Sequence, residues 1–144
     1  MVGLAAVCLA AGALHVAIPA DHFTLRWQHS IEKVEWDEDY VVAGNWLMLS
    51  GARIRGSGAG MEPPPDAWLD HGVWHYTLAD PWRKELVLAR SDYSRDYALC
   101  FDGRCSSMGQ WIPTSAGTTV LSACQHTRPD THDRQTSQTH QPAR

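Results

Sequence analysis

The apolar residues Phe23, Leu25 and Trp27 alternate with polar side chains. Successive side chains of a strand project to opposite faces, so this period of two predicts a strand with one buried face. Continuing the alternation places His29 on the apolar side and Ser30 on the opposite side. After residue 20, no stretch of useful length repeats apolar residues at helical spacing. The pattern therefore indicates a chain built from strands.

A turn signal at Gly44-Asn45 predicts a hairpin that joins the apolar stretches 40–43 and 46–49. Further strands are predicted at residues 73–78, 86–89, 97–101 and 118–123. The glycine-rich stretch that contains Gly58 and Gly60 predicts a bulge or a break in the sheet. A phosphate-binding loop is disfavoured there because neither Lys-Ser nor Lys-Thr follows. Three prolines at 63–65 predict a stiff crossing loop, since proline lacks an amide donor.

Cys100 and Cys105 bracket a second turn signal, Asp102-Gly103. A two-residue loop at this dipeptide places the cysteines opposite each other at a non-hydrogen-bonded position, with Cα atoms about 4.5 Å apart. That separation is at the short end of the range for a disulfide. We therefore predict a Cys100–Cys105 disulfide, with two reduced thiols or half of a zinc site as the alternative.

Residues 1–20 are almost wholly apolar and, with His15 neutral, carry no side-chain charge. Twenty helical residues rise about 30 Å, the thickness of the hydrocarbon core of a bilayer. The segment thus predicts an apolar N-terminal helix that is a signal peptide or an uncleaved membrane anchor, with a buried helix of a cytosolic domain as the alternative. Cleavage after Ala20 stays open, because Ile18 stands where a small residue is preferred. Cys8, inside this segment, is interpreted as a small hydrophobe.

The chain has 144 residues and a net charge of −4, with scattered arginines, which argues against nucleic acid as a partner. Residues 125–144 hold no aliphatic side chain larger than alanine and predict a disordered tail. Cys124 has no obvious partner. The predicted organisation is a signal peptide or anchor at 1–20, an all-β domain at 21–124 and the tail at 125–144. The domain is expected to be a single antiparallel β-sandwich or barrel.

His29 and Ser30 invite a hydrolase interpretation in which the imidazole is the general base. Adjacent strand residues project to opposite faces, which opposes that reading. We favour a structural pairing of His29 with Glu32 or Glu38 from a facing strand, then ligand binding, then catalysis.

The acidic stretch 32–39 lacks the alternating acids and central glycine of a helix-loop-helix calcium site and is expected to be a solvated turn or strand entry. Arg53 and Arg55 share one side of a strand, where they are suited to grip a carboxylate ligand. Pairing with the acidic stretch is favoured over that role. No metal and no cofactor is predicted.

Several of these segments together resemble an uncharacterised bacterial family, domain of unknown function 1850. They are the strand that ends in Trp27-Gln28-His29-Ser30-Ile31-Glu32, then Glu38, then Gly58-Ala59-Gly60-Met61. The family has Val where this chain has Ile31. The stretch 88–92 and the cysteine hairpin are also similar to proteobacterial members, so the resemblance covers about residues 22–112.

The resemblance implies an association with tripartite periplasmic-type (TRAP) transporters, and no catalytic residue carries over. The matching positions without assigned roles are His29, Ser30, Glu32, Glu38, Gly58 and Gly60. The expectation is a periplasmic accessory protein that contacts the permease or the solute-binding protein, anchored to the inner membrane if residues 1–20 are retained. The alternative is a small-ligand or metal-binding domain centred on His29, Glu38 and the glycine loop, and a hydrolase using Ser30 is the third reading.

Overall fold

The computed structural model describes residues 3–28, 34–56 and 63–127, and these residues form twelve strands and two short 3-10 helices. The strands are β1 (Gly3–Ala11), β2 (Leu14–Pro19), β3 (His22–Gln28), β4 (Glu35–Ala43), β5 (Trp46–Arg55), β6 (Trp68–Asp70), β7 (Val73–Tyr76), β8 (Trp82–Arg83), β9 (Glu85–Leu88), β10 (Ala98–Phe101), β11 (Arg104–Ser107) and β12 (Thr119–Thr127). The 3-10 helices are Met108–Gln110 and Thr114–Ala116.

The strands form two antiparallel sheets. The smaller sheet has the order β2-β1-β12-β9, and the larger has the order β11-β10-β3-β4-β5-β7-β6, with β8 paired to β5. The two sheets pack face to face over a shared core and do not close into a barrel. The all-β, antiparallel prediction is confirmed in its sandwich form, and the barrel alternative is wrong.

One apolar face of each sheet builds the core. Leu9 and Leu121 come from the smaller sheet, and Leu25, Leu47 and Leu99 come from the larger; all five are at most 2 % exposed. Burying a leucine side chain stabilises a fold by about 1.5–3 kcal/mol, so these alternating positions fix which face of each strand points inward.

Both predicted hairpins are present. Ala43 pairs with Trp46 across Gly44-Asn45, and Gly44 has a φ of 62°. Phe101 pairs with Arg104 across Asp102-Gly103, where φ is 51° and 81°. Positive φ at both central positions, as at Asp102-Gly103, and positive φ at a first-position glycine, as at Gly44, are typical of the two kinds of two-residue hairpin turn whose twist matches the flanking strands. These short signals therefore set the register of two strand pairs.

The predicted N-terminal helix is wrong, because Gly3–Ala11 and Leu14–Pro19 are strands β1 and β2. Ala11 pairs with Leu14 across a turn that begins at Gly12, whose φ is 58°. Val7, Leu9 and Ala11 of β1 face the core, and the opposite face of the strand carries Ala6 and Ala10, which are also apolar, so no alternation marks the strand. A continuous apolar run cannot be distinguished from a buried helix by periodicity alone.

Cys8 and Cys124 form a disulfide that joins β1 to β12, with Cα atoms 5.9 Å apart. This corrects the interpretation of Cys8 as a passive hydrophobe and of Cys124 as unpaired. Strand β12 also continues to Thr127, three residues into the segment expected to be tail. Residues 128–144 lie outside the described part of the chain. The signal-peptide or anchor role of residues 1–20 stays a prediction. Across the described ranges, no helix is long and apolar enough to span a membrane.

Candidate functional site

The predicted site residues fall into two groups. His29, Ser30, Glu32, Gly58 and Gly60 lie outside the described residues. Glu38 and Arg53 are described, and they lie on opposite faces of the larger sheet. Glu38 shares the inner face with Leu25, its partner on β3, whereas Arg53 pairs with Asp37 on the outer face.

Glu38 faces inward because β4 alternates. Trp36, Glu38 and Tyr40 occupy one face and Asp37 occupies the other, where it is only 1 % exposed. The register of β4 against β5 shifts between Asp39 and Tyr40. This bulge gives β5 an extra residue, so that apolar side chains before and after it lie on the same face of the sheet, Leu47 and Leu49 in one buried cluster and Ala52 and Ile54 in another. A carboxylate therefore lies on the buried face of the sheet.

Aromatic rings lie on both sides of Glu38 along the inner face. On one side Trp27 stacks on Trp36 with ring centroids 5.8 Å apart, and Tyr97 is 6.3 Å from Trp27. On the other side Phe23 stacks on Tyr40 at 5.3 Å. Leu25, opposite Glu38, separates Phe23 from Trp27 along β3. A ring face is the negative part of an aromatic quadrupole, so these rings give a carboxylate little compensation for lost water.

Glu38 lines an open cleft of about 330 Å³ between the two sheets. One wall is the larger sheet and the other wall is β9, the last strand of the smaller sheet. The described lining residues are Leu25, Trp27, Glu38, Glu85, Leu86, Val87, Leu88 and Tyr97. Apolar walls with a few polar groups are typical of small-molecule sites, and the volume is at the lower end of their range, about 300–1,000 Å³.

The charge of Glu38 is poorly compensated. The Tyr40 hydroxyl donates a hydrogen bond to its carboxylate at 3.1 Å, and within the described ranges no cation forms an ion pair with it. Burial raises the pKa of Glu38 above its ordinary 4.5, although the hydrogen bond from Tyr40 and the charge of Arg83 oppose the shift. Loss of water therefore dominates at this carboxyl.

The negative charge of Glu38 helps to raise the pKa of three tyrosines. Burial, followed by the charge of Glu38, raises the pKa of Tyr76 to about 12. Burial and Glu38 also raise the pKa of Tyr40, and burial, Asp96 and Glu38 raise that of Tyr97. All three phenols are therefore neutral at physiological pH, and Glu38 is the negative centre of the inner face.

Because the pKa of Glu38 is raised in the folded state, the ionised side chain is expected to destabilise the fold at neutral pH. The folded state holds the proton more tightly than the unfolded state, so the penalty is absent below pH 4.5 and is complete once the pH rises through the folded pKa. Glu38→Gln should therefore increase the melting temperature at pH 7 and lose that gain below pH 4.5. Thermal unfolding across this range, with the exposed Glu85→Gln as control, measures it. A stability loss at pH 7 would contradict this account.

Arg53 is engaged on the outer face. Its guanidinium donates two hydrogen bonds to Asp39, one of them at 2.9 Å, and lies 3.6 Å from Asp37. Arg26 and Arg55 also pair with Asp37, at 2.8 and 3.4 Å. The favoured pairing of Arg53 and Arg55 with the acidic stretch is confirmed. Residues 35–39 are the first part of β4, as the strand-entry alternative expected, but the solvated environment is wrong there because Asp37 is buried.

Cys100 and Cys105 are bonded across β10 and β11, with Cα atoms 3.9 Å apart. The disulfide prediction is confirmed, and the zinc half-site alternative is wrong because neither sulfur is a free thiolate. Elsewhere in the described ranges, no three His, Cys, Asp or Glu side chains are grouped as metal ligands.

Sequence reasoning missed the aromatic walls and the β9 side of the cleft. Trp27 was recognised as an inward residue, but Tyr97 and Leu86 reach the cleft only through the pairing of distant strands. Trp36, Glu38 and Tyr40 follow a period of two, which was the available signal for an inward Glu38.

Comparison with known proteins gives a family and no function. The profile of a family described as "Domain of unknown function (DUF1850)" matches residues 23–108, from the start of β3 to the first 3-10 helix. No curated protein and no solved structure matches the chain. The match includes Glu38 and every described lining residue of the cleft.

Proposed function

Since this chain belongs to the DUF1850 family, a domain of unknown function, we propose that it is an extracytoplasmic accessory binding protein of a TRAP-type solute uptake system. Its binding site is the cleft around Glu38. The observation that carries the proposal is a carboxylate on the core face of a sheet, at an open apolar cleft, with no cation paired to it among the described residues. A buried charge that destabilises the fold is a candidate functional group.

The extracytoplasmic location is supported by the cysteines. Cys8–Cys124 and Cys100–Cys105 are both disulfides, and no free cysteine exists among the described residues. Disulfides persist in oxidising compartments and are rare in the cytosol. The periplasm is the compartment in which a TRAP solute-binding protein works, so we place this chain there.

The accessory role is supported by the association with TRAP transporters that membership of the family implies, and by an exposed aromatic surface. Trp46 and Trp82 are 44 % and 47 % exposed, line a shallow depression of about 390 Å³ and lie next to Lys84. Exposed tryptophans are typical of protein interfaces. We propose that this surface, the Trp46–Trp82 patch, contacts the permease or the solute-binding protein.

Affinity purification of the full chain from membranes tests the accessory role. We expect a TRAP permease subunit or solute-binding protein to be recovered with the wild type and reduced at least about tenfold with Trp46→Ser/Trp82→Ser. Tyr93→Ser, which replaces a fully exposed aromatic residue outside both surfaces, is the control. Recovery of neither transporter component by the wild type would reject this role.

A thermal-shift screen tests the cleft as a binding site. The probes are small cationic, neutral and anionic organic compounds, each measured with wild type and with Glu38→Gln. We expect at least one probe to stabilise the wild type and to lose that effect in the variant, since binding to the folded state raises its stability. Absence of any shift across the three classes would reject the binding function.

A further inference from the structure

We propose that the cleft binds a small organic cation, with an ammonium group at Glu38 and an apolar body between the two sheets. The inference rests on the proposed function of the cleft and adds the chemical class of its ligand. It follows from the charge of the lining, from the aromatic rings around Glu38 and from the apolar walls.

The described lining of the cleft is anionic. It holds two carboxylates, Glu38 and Glu85, and no lysine, arginine or histidine. Arg83 acts on Glu38 electrostatically, but its guanidinium donates to the carbonyl oxygens of Asp80 and Trp82 at 2.9 and 2.8 Å. An anionic ligand would meet like charge, and a neutral ligand would remove more water from Glu38 without replacing it. A cation compensates the charge.

The rings favour the same class. Trp27 and Tyr97 line the cleft beside Glu38, with ring centroids 6.3 Å apart and planes tilted by 48°. A cation that sits over the face of one of these rings would gain about 0.5–2 kcal/mol from that contact. Trp36 extends this aromatic row, and its indole nitrogen is buried without a hydrogen-bond partner in the described structure.

The walls distinguish an organic cation from a metal ion. Leu25, Leu86 and Leu88 form the apolar surface of the cleft. They offer no oxygen to replace the hydration shell of a divalent ion, which requires about six ligands. The same side chains suit the hydrocarbon part of an amine, because burying apolar surface contributes about 25 cal/mol per Å².

Binding is expected to depend on pH with a definite sign. A bound ammonium stabilises the ionised form of Glu38, so affinity requires the deprotonated carboxylate. Because burial raises the pKa of Glu38, affinity falls on acidification before an ordinary glutamate would protonate. Glu85, at the exposed rim, supplies only a screened attraction.

Isothermal titration calorimetry tests the ligand class with three matched probes: benzylamine, benzyl alcohol and benzoate. We expect heat of binding with benzylamine and none with the other two at the same concentration. Glu38→Gln should weaken benzylamine at least about tenfold, the range of one hydrogen bond to a charged group. Glu85→Gln should weaken it less than about threefold. Trp27→Leu should weaken it severalfold through the lost ring face.

The outcomes separate this inference from the function on which it rests. Binding of benzyl alcohol or benzoate, but not benzylamine, in a way that Glu38→Gln changes would overturn the cation and leave the binding function intact. Equal benzylamine affinity in wild type and Glu38→Gln would also overturn it. Melting curves of each variant, which should remain cooperative, show that a lost signal reports the site.

Discussion

Replacing Cys8 and Cys124 together by alanine is expected to lower the free energy of unfolding by about 5 kcal/mol. The disulfide closes a loop with a sequence separation of 116 residues, so its removal lets the two ends of this long segment move apart in the unfolded chain and restores the loop-closure entropy. It also removes the covalent link between β1 and β12, which stay paired in the sheet; β1 contributes Val7 and Leu9 to the core at 0 % exposure. Such a loss is a large part of the stability of an ordinary domain, about 5–15 kcal/mol.

The second disulfide provides a matched control. Cys100 and Cys105 are only five residues apart, so the same chain-entropy relation gives about 2 kcal/mol for their joint replacement. Urea unfolding of the oxidised wild type and the two double variants measures both values. Equal losses, or a larger loss for Cys100→Ala/Cys105→Ala, would show that loop closure is not the source of the stability.

Peptide mapping of the protein isolated from cells connects this disulfide to the N-terminal segment. A disulfide-linked peptide pair that contains Cys8 and Cys124 requires the mature chain to retain β1. Cleavage after Ala20 would instead remove β1 and β2, two of the four strands of the smaller sheet. The targeting role predicted for residues 1–20 is thus open to a direct measurement.

Local signals predicted the larger sheet well. Period-two alternation identified β3, and dipeptide turns fixed two hairpins, because both depend on a few adjacent residues. In the smaller sheet, the strand predicted at residues 86–89 lies within one residue of β9. The short strands β6 and β8 were missed, since three and two residues carry no measurable period.

The candidate site was harder to predict than the strands. Glu38 was singled out by the resemblance and by a proposed pairing with His29, which lies outside the described residues. Its position on the core face depends on the strand phase of residues 35–39, and acidic composition indicated a solvated stretch instead. Three arginines on the outer face compensate Asp37 and Asp39 and allow the stretch to form a central strand. This compensation depends on contacts between different strands, so the hydrophobic periodicity of one stretch cannot predict it.

Arg90 shows the same limit in the smaller sheet, where no pattern marked it as structural. Its side chain is fully buried and donates two hydrogen bonds to Asp96, at 2.8 and 2.9 Å. It also donates to Thr119 at 3.1 Å and to the carbonyl oxygen of Ile112 at 2.7 Å. Arg90 thus ties the end of β9 to the start of β10 and to β12, and so holds one wall of the cleft.

Arg90→Met is expected to lower the free energy of unfolding at pH 7 by about 3–5 kcal/mol, the usual loss when one partner of a buried ion pair is removed. Burial raises the pKa of Asp96, but the hydrogen bonds and charge of Arg90 outweigh it and hold that pKa below its ordinary 3.8. The stabilisation is therefore complete above pH 3.8 and is lost as the pH falls through the folded pKa.

Arg90→Lys should recover only part of the stability that Arg90→Met loses, since an ammonium lacks the planar two-pronged geometry. Urea unfolding from pH 7 to below 3.8 should show the gap to wild type narrowing on acidification, with exposed Arg95→Met within about 0.5 kcal/mol of wild type. A gap that does not change with pH would mean that the Arg90–Asp96 pair does not account for the loss.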